Sequence, residues 1–211
     1  MIKAVIFDLD GVICSTDEYH YQAWKGLADR LGIYFDRKIN ERLRGVSRMD
    51  SLDIVLEKSE REYSPKEKQA LAEEKNSAYR ALLNNMSGSD LSDEVRDTLG
   101  ILRERGYKLA IGSSSKNTKT ILAQIGLGDY FDAVSDGTNI SRSKPDPEVF
   151  LCAAKFLGVE PESCIVIEDA VAGIQAAKSA GMLSAGIGPA AKYELTDHKI
   201  SALPELLEIL N

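Results

Sequence analysis

The sequence has no apolar run near the ~20 residues that a membrane-spanning helix requires, so integral-membrane classes drop out. It also lacks a basic leader, an apolar h-region and a small-residue cleavage site, because Met-Ile-Lys leads straight into the first apolar run; export is not expected and the cytoplasm is the expected compartment. Cysteine is scarce. Cys14, Cys152 and Cys164 are odd in number, widely spaced and set among apolar neighbours, which suits buried reduced thiols and argues against a disulfide frame or a zinc knuckle. Positive charge is in deficit, with 26 Lys and Arg against 33 Asp and Glu and a net charge of -7. A nucleic-acid groove needs clustered basic residues, so that partner is not expected and any anionic substrate must be met by a local cluster.

What remains is an ordinary globular composition, 44% hydrophobic and 28% charged over 211 residues, enough for one well-filled core plus a smaller insertion. Ile2 to Phe7 is a continuous apolar run suited to a strand covered on both faces. Helical periodicity then takes over from Asp17 to Leu31, with Gly32 as its stop. Further helices are expected at 40–43, 48–56 and 65–83, the last with Ser64 as N-cap and Pro65 at its first position. Residues 84–92 read as a polar linker.

After the linker the pattern alternates. Helix 93–105, strand 107–112, helix 118–125, a short strand near 133–134, helix 147–157, strand 164–167, helix 170–180, strand 183–187 and helix 204–210 follow one another. Strands separated by helices imply right-handed crossovers and an α/β fold with a doubly wound parallel sheet. The expected domains are a core of residues 1–14 and 86–211 and a helical insertion of residues 15–85.

Ligands of open α/β sheets bind beyond the carboxyl ends of the strands. Asp8 and Asp10 follow the first strand, Ser113 to Asn117 follow the second, and Glu168 and Asp169 follow a later one. Four acids brought to one rim repel by several kcal/mol at low effective dielectric unless a cation or raised pKa values relieve them. Oxygen ligands without His or Cys select a hard ion, and Mg²⁺ is the natural candidate because it also accepts a phosphate oxygen. The plainer alternative for Glu168 and Asp169 is helix capping. Lys144, stiffened by Pro145 and Pro147, is placed to neutralise the acids and grip a phosphate, where a lone lysine is ordinarily a solvated charge.

"DLDGVI", Ser113 after a strand, Lys144 in "KPDP" and "ED" in "VIEDAVAGIQAA" resemble, in order along the whole chain, the four motifs of the haloacid dehalogenase superfamily of phosphotransferases. The insertion resembles that superfamily's small helical cap. Its stretches "TDEYHYQAW", "LRGVSRMDSL" and "EEKNSAY", with "SSSKN" in the core, are similar to those of the superfamily's hexose-phosphate mutases. That resemblance implies interconversion of β-D-glucose 1-phosphate and glucose 6-phosphate through an aspartyl-phosphate enzyme and a β-glucose 1,6-bisphosphate intermediate. Asp8 would be the nucleophile and Asp10 the general acid and base, while Ser113 and Lys144 hold the transferring phosphate. Mg²⁺ would be held by Asp8, the backbone carbonyl of Asp10, Glu168 and Asp169. Arg48, Ser115 and Asn117 would bind the distal phosphate. Thr16, His20, Trp24, Arg44, Gly45, Val46, Ser47, Ser51, Lys75 and Ser114 complete the implied substrate-binding set.

Alternatives stand beside these roles. From position alone His20 and Trp24 read first as packed core, and Lys75, after Glu73 and Glu74, also as a solvated helix face. Arg44 stands where these mutases more usually have lysine, and Ala170 where a hydroxyl residue is frequent. A Mg²⁺-dependent phosphatase of small sugar phosphates shares every core residue; it differs in whether water reaches the phosphoenzyme first. A non-catalytic sensor would be expected to have lost Asp8 or Asp10. The expected partners are small-molecule sugar phosphates, with no nucleic acid, no membrane and a monomeric state.

Overall fold

A computed structural model describes residues 1–43 and 47–210, so the readings of Arg44, Gly45 and Val46 lie outside the described residues. The chain divides into two compact units, Met1–Ser15 with Met86–Asn211, and Thr16–Asn85. No helix among the described residues is long and apolar enough to cross a membrane.

The first unit is built on one sheet of β1 (Ala4–Phe7), β2 (Lys108–Gly112), β3 (Ala133–Ser135), β4 (Cys164–Glu168), β5 (Leu183–Gly186) and β6 (His198–Lys199). The strands lie in the order β3-β2-β1-β4-β5-β6, every pair parallel, as the doubly wound reading requires. The helices, in chain order, are α1 (Asp17–Arg30), α2 (Arg37–Glu41), α3 (Arg48–Leu56), α4 (Pro65–Leu83), α5 (Asp93–Glu104), α6 (Thr118–Gln124), α7 (Glu148–Leu157), α8 (Val171–Ser179) and α9 (Leu206–Ile209). The first four form the second unit.

The central strands are apolar because both faces are covered. On one face Ala4, Ile6, Ala110, Cys164 and Val166 pack with Val149, Phe150 and Ala153 of α7 and with Ala176 and Ala177 of α8, and on the other Val5, Phe7, Leu109, Ile111, Ile165 and Ile167 are equally buried. Each large side chain so buried is worth roughly 1.5–3 kcal/mol. In register, Phe7 lies opposite Ile111 on β2 and Ile167 on β4. The residues that follow these three therefore reach the same rim, at the point between β1 and β4 where the winding of the sheet reverses.

The helical unit has its own core, in which Trp24, Leu27 and Ala28 of α1 meet Leu52 and Val55 of α3 and Leu71 and Ala72 of α4. Ser64 caps α4 in a reciprocal pair with Glu67, with Pro65 at the start of the helix, as the sequence indicates.

Two expectations about elements are corrected and one strand is added. The helix expected at 40–43 is α2 at Arg37–Glu41, started earlier by the Asp36 carboxylate, which accepts from Ile39 N at 2.8 Å. The short β6 carries no apolar signal at His198 and Lys199 and is recruited by pairing to β5. The last helix opens with a 3-10 turn, Leu203–Glu205, before α9.

Candidate active site

Asp8 follows β1 directly, and its N donates to Ile167 O at 2.9 Å, which keeps it on the ladder with β4. The chain then folds back: Ile13 N and Cys14 N both donate to Leu9 O, at 3.0 and 3.2 Å, and Gly11 N donates to Cys14 O at 2.7 Å. Gly11 has φ +87°, and a Cβ there would stand 2.2 Å from Asp169 Oδ2, so this turn requires glycine on two counts.

Glu168 ends β4 and is 1% exposed. Its Oε2 accepts from Ala170 N at 2.9 Å and its Oε1 from Lys144 Nζ at 2.6 Å. The same ammonium donates to Asp8 Oδ1. Lys144 thus bridges two acids that stand 160 residues apart in the chain (168 - 8). Burial works against its charge, but Asp8 and Glu168 outweigh burial and hold the ammonium above its ordinary pKa. Burial, with help from Asp8, pushes Glu168 up despite Lys144. Burial and then Asp8, Glu168 and Asp10 push Asp169 up to about 7.

Carboxylate oxygens of Asp8, Glu168 and Asp169 lie within 4.8 Å of one another. One ammonium does not balance three converging acids, and a donor set made only of oxygen suits a hard divalent cation. The residues present therefore fit a metal. The carboxylate of Asp10 is not part of this trio; the role read for Asp10 at the metal concerned its backbone carbonyl. The capping alternative for the "ED" pair is not met: α8 has no side-chain cap, and Glu168 accepts from Ala170 N, which precedes the helix.

Ser113 follows β2 and is buried; its N donates to Ser135 O at 3.0 Å, and its Oγ accepts from Ser115 N at 3.2 Å. Ser115 Oγ in turn accepts from Asn117 N at 3.1 Å, immediately before α6. Ser114 Oγ accepts from Lys144 N at 3.5 Å, which ties this loop to the lysine. The three cysteines are free; Cys14 and Cys164 are buried as expected, whereas Cys152 is half-buried. Burial, with Asp10 and Asp8, pushes the Cys14 thiol up to about 12, so it stays protonated and unreactive beside the acids.

The helical unit assembles a second group of residues by itself. His20 N donates to the buried Thr16 at its carbonyl O, at 3.0 Å, in the first turn of α1. The ring of His20 stacks on Tyr79 of α4 with centroids 4.0 Å apart. Lys75, 4% exposed, sets its Nζ 2.8 Å from His20 Nδ1 and 4.7 Å from the ring centroids of both Trp24 and Tyr79. Lys75 is therefore no solvated helix charge. Trp24 is a core residue that also offers its ring face to a cation. Arg48, the first residue of α3, has Nη1 3.6 Å from Glu73 Oε2. Ser47 caps α3 by accepting from Asp50 N at 3.3 Å, and Ser51 is buried in its first turn. Sequence reasoning missed Tyr79 and Glu73 as partners of His20, Lys75 and Arg48. The signal was the i,i+4 spacing of Lys75 with Tyr79 on one helix and of His20 with Trp24 on the other.

A profile described as haloacid dehalogenase-like hydrolase matches residues 2–181. A β-phosphoglucomutase of Bacillus subtilis is 46% identical over 189 residues, covering 89% of this chain and 84% of that protein. A fructose-1-phosphate phosphatase of Escherichia coli is 36% identical over 84% of this chain and 92% of its own length. Among solved structures, a β-phosphoglucomutase from Clostridium difficile superposes with TM-score 0.89 at 41% identity, covering 100% of this chain and 96% of that one.

Proposed function

Because the chain belongs to the haloacid dehalogenase-like hydrolase family, we propose that it is an isomerase, an intramolecular phosphotransferase that interconverts β-D-glucose 1-phosphate and glucose 6-phosphate. The observation that carries this reading is the 46% identity to a β-phosphoglucomutase over 89% of the chain. In the cycle the phosphoryl group carried by Asp8 passes to the free hydroxyl of the bound β-glucose 1-phosphate while Asp10 takes that hydroxyl's proton, which leaves a free Asp8 carboxylate and β-glucose 1,6-bisphosphate. The bisphosphate turns over and Asp8 attacks its other phosphorus. The sugar oxygen leaves with the proton from Asp10, releasing glucose 6-phosphate and restoring the aspartyl phosphate.

Asp8, Glu168 and Asp169, with the carbonyl of Asp10, would hold Mg²⁺, supported by the oxygen-only trio within 4.8 Å. When bound, the ion would neutralise charge on the transferring phosphoryl group. Ser113 and Lys144 hold that group in place. A mutase must also bind the phosphate that is not reacting, and this is the role we give to Arg48, Ser115 and Asn117, a guanidinium fork being suited to it. Thr16, His20, Trp24, Ser47, Ser51, Lys75 and Ser114 serve the sugar and the proton transfer.

A second reading, a Mg²⁺-dependent phosphatase of small sugar phosphates, is favoured by the 36% identity to a fructose-1-phosphate phosphatase. One assay separates the two. The protein is incubated with Mg²⁺, β-glucose 1-phosphate and a trace of glucose 1,6-bisphosphate, and glucose 6-phosphate and inorganic phosphate are followed together. Glucose 6-phosphate without free phosphate is the expected result; stoichiometric phosphate release would replace the mutase by the hydrolase.

A further inference from the structure

Gly173 is the third residue of α8, in the alanine-rich stretch Ala170 to Ala177. A glycine inside a helix is unfavourable relative to alanine, so it calls for a reason where alanine surrounds it. Two other helical glycines, Gly26 in α1 and Gly100 in α5, face open space, with nothing within 4 Å of where a Cβ would stand. Gly173 differs. A Cβ there would fall 1.8 Å from Glu168 Oε1, 1.9 Å from its Cδ and 2.5 Å from its Cγ. The Glu168 side chain, 1% exposed, runs against the bare α-carbon in the first turn of α8. In that place it accepts from Ala170 N at 2.9 Å and from Lys144 Nζ at 2.6 Å.

We propose that Gly173 is a positioning residue for Glu168: its missing side chain is the notch through which this carboxylate reaches the acidic trio, so that the trio's affinity for a divalent cation depends on it. The atoms a new methyl would strike belong to the end of a side chain and not to backbone. Alanine at this position leaves the helix intact and turns Glu168 away from Ala170 N and Lys144, so the loss falls on the ligand and spares the fold. The inference rests on the reading of Glu168 as a metal ligand, and the test keeps the two apart.

Mn²⁺ is the probe, with free ion counted by its paramagnetic resonance signal as the metal-free protein is titrated. The expected result for Gly173→Ala is a dissociation constant raised about 10- to 100-fold, while Gly100→Ala, a helical glycine with open space, leaves it unchanged. In a Glu168→Asp background the shorter side chain no longer needs the notch, so adding Gly173→Ala changes the constant by less than about 3-fold. Equal Mn²⁺ affinity in Gly173→Ala and the natural protein overturns the inference, as does an equal loss in both backgrounds. Should Gly173→Ala not fold, the comparison of Glu168→Asp with and without it decides alone: a folded, Mn²⁺-binding double variant supports the notch, and an unfolded one overturns it. Absence of Mn²⁺ binding by the natural protein overturns the metal reading itself.

Discussion

Lys75 Nζ lies 2.8 Å from His20 Nδ1 across the interface of α4 and α1. An ammonium only donates, so Nδ1 accepts and the ring proton sits on Nε2. Burial first, then the charges of Lys75 and Arg48, hold the imidazole well below its ordinary pKa of 6.5. The unfolded chain therefore takes up a proton below pH 6.5 that the folded protein refuses. Stability from this residue is complete above that pH and is lost as pH falls from there toward the folded value, by at most about 1.4 kcal/mol per pH unit. Urea midpoints measured against pH should fall less steeply in His20→Gln than in the natural protein; parallel curves would remove His20 as the source. Lys75→Met should raise the His20 pKa read by NMR.

The Lys144 ammonium bridges the Asp8 and Glu168 carboxylates. Lys144→Met leaves two buried acids facing each other, and removing one partner of a buried ion pair costs about 3 kcal/mol or more. Thermal unfolding of the metal-free variant should shift down accordingly. Excess Mg²⁺ should recover part of the loss, since a cation bound only by the folded state stabilises it. A variant as stable as the natural protein in EDTA would show that Lys144 does not balance these charges.

Asp8→Ala should abolish turnover and labelling of the protein by a phosphoryl donor. Retained isomerisation in that variant removes Asp8 as the nucleophile.

Arg48→Ala is expected to lower kcat/KM for β-glucose 1-phosphate by about 100-fold, the loss of a charge-assisted phosphate contact of ~3 kcal/mol. Hydrolysis of a simple aryl phosphate, which has no second phosphate, should change far less. Equal losses on both substrates count against a distal anchor at Arg48.

The alternation of strands and helices was legible because its signals are local. Ser64 and Pro65 start α4, and Gly32, Gly106, Gly126 and Gly158 stand just past the ends of α1, α5, α6 and α7 with positive φ. The acids at the strand ends were legible for the same reason, each being adjacent to a buried apolar run. The start of α2 was missed because Asp36 acts through one side-chain bond that a periodicity argument does not weigh. Lys75 was read as also suited to solvent because Glu73 and Glu74 precede it; the turn of α4 instead carries it inward to Trp24 and His20. Gly173 drew no attention at all, since nothing in its immediate neighbours announces a carboxylate five residues earlier.

By itself the sequence determined the order of the elements and the chemical character of the residues at each strand's end, since both follow from neighbours within a turn or a pleat. Only tertiary structure decided which of those residues meet. Parallel pairing of β1 with β4 sets Asp8 beside Glu168, and packing then brings Lys144 between them. Such meetings join residues far apart in the chain, and they exist because burial of the whole sheet offsets the entropy of closing those loops and the cost of drawing charges out of water.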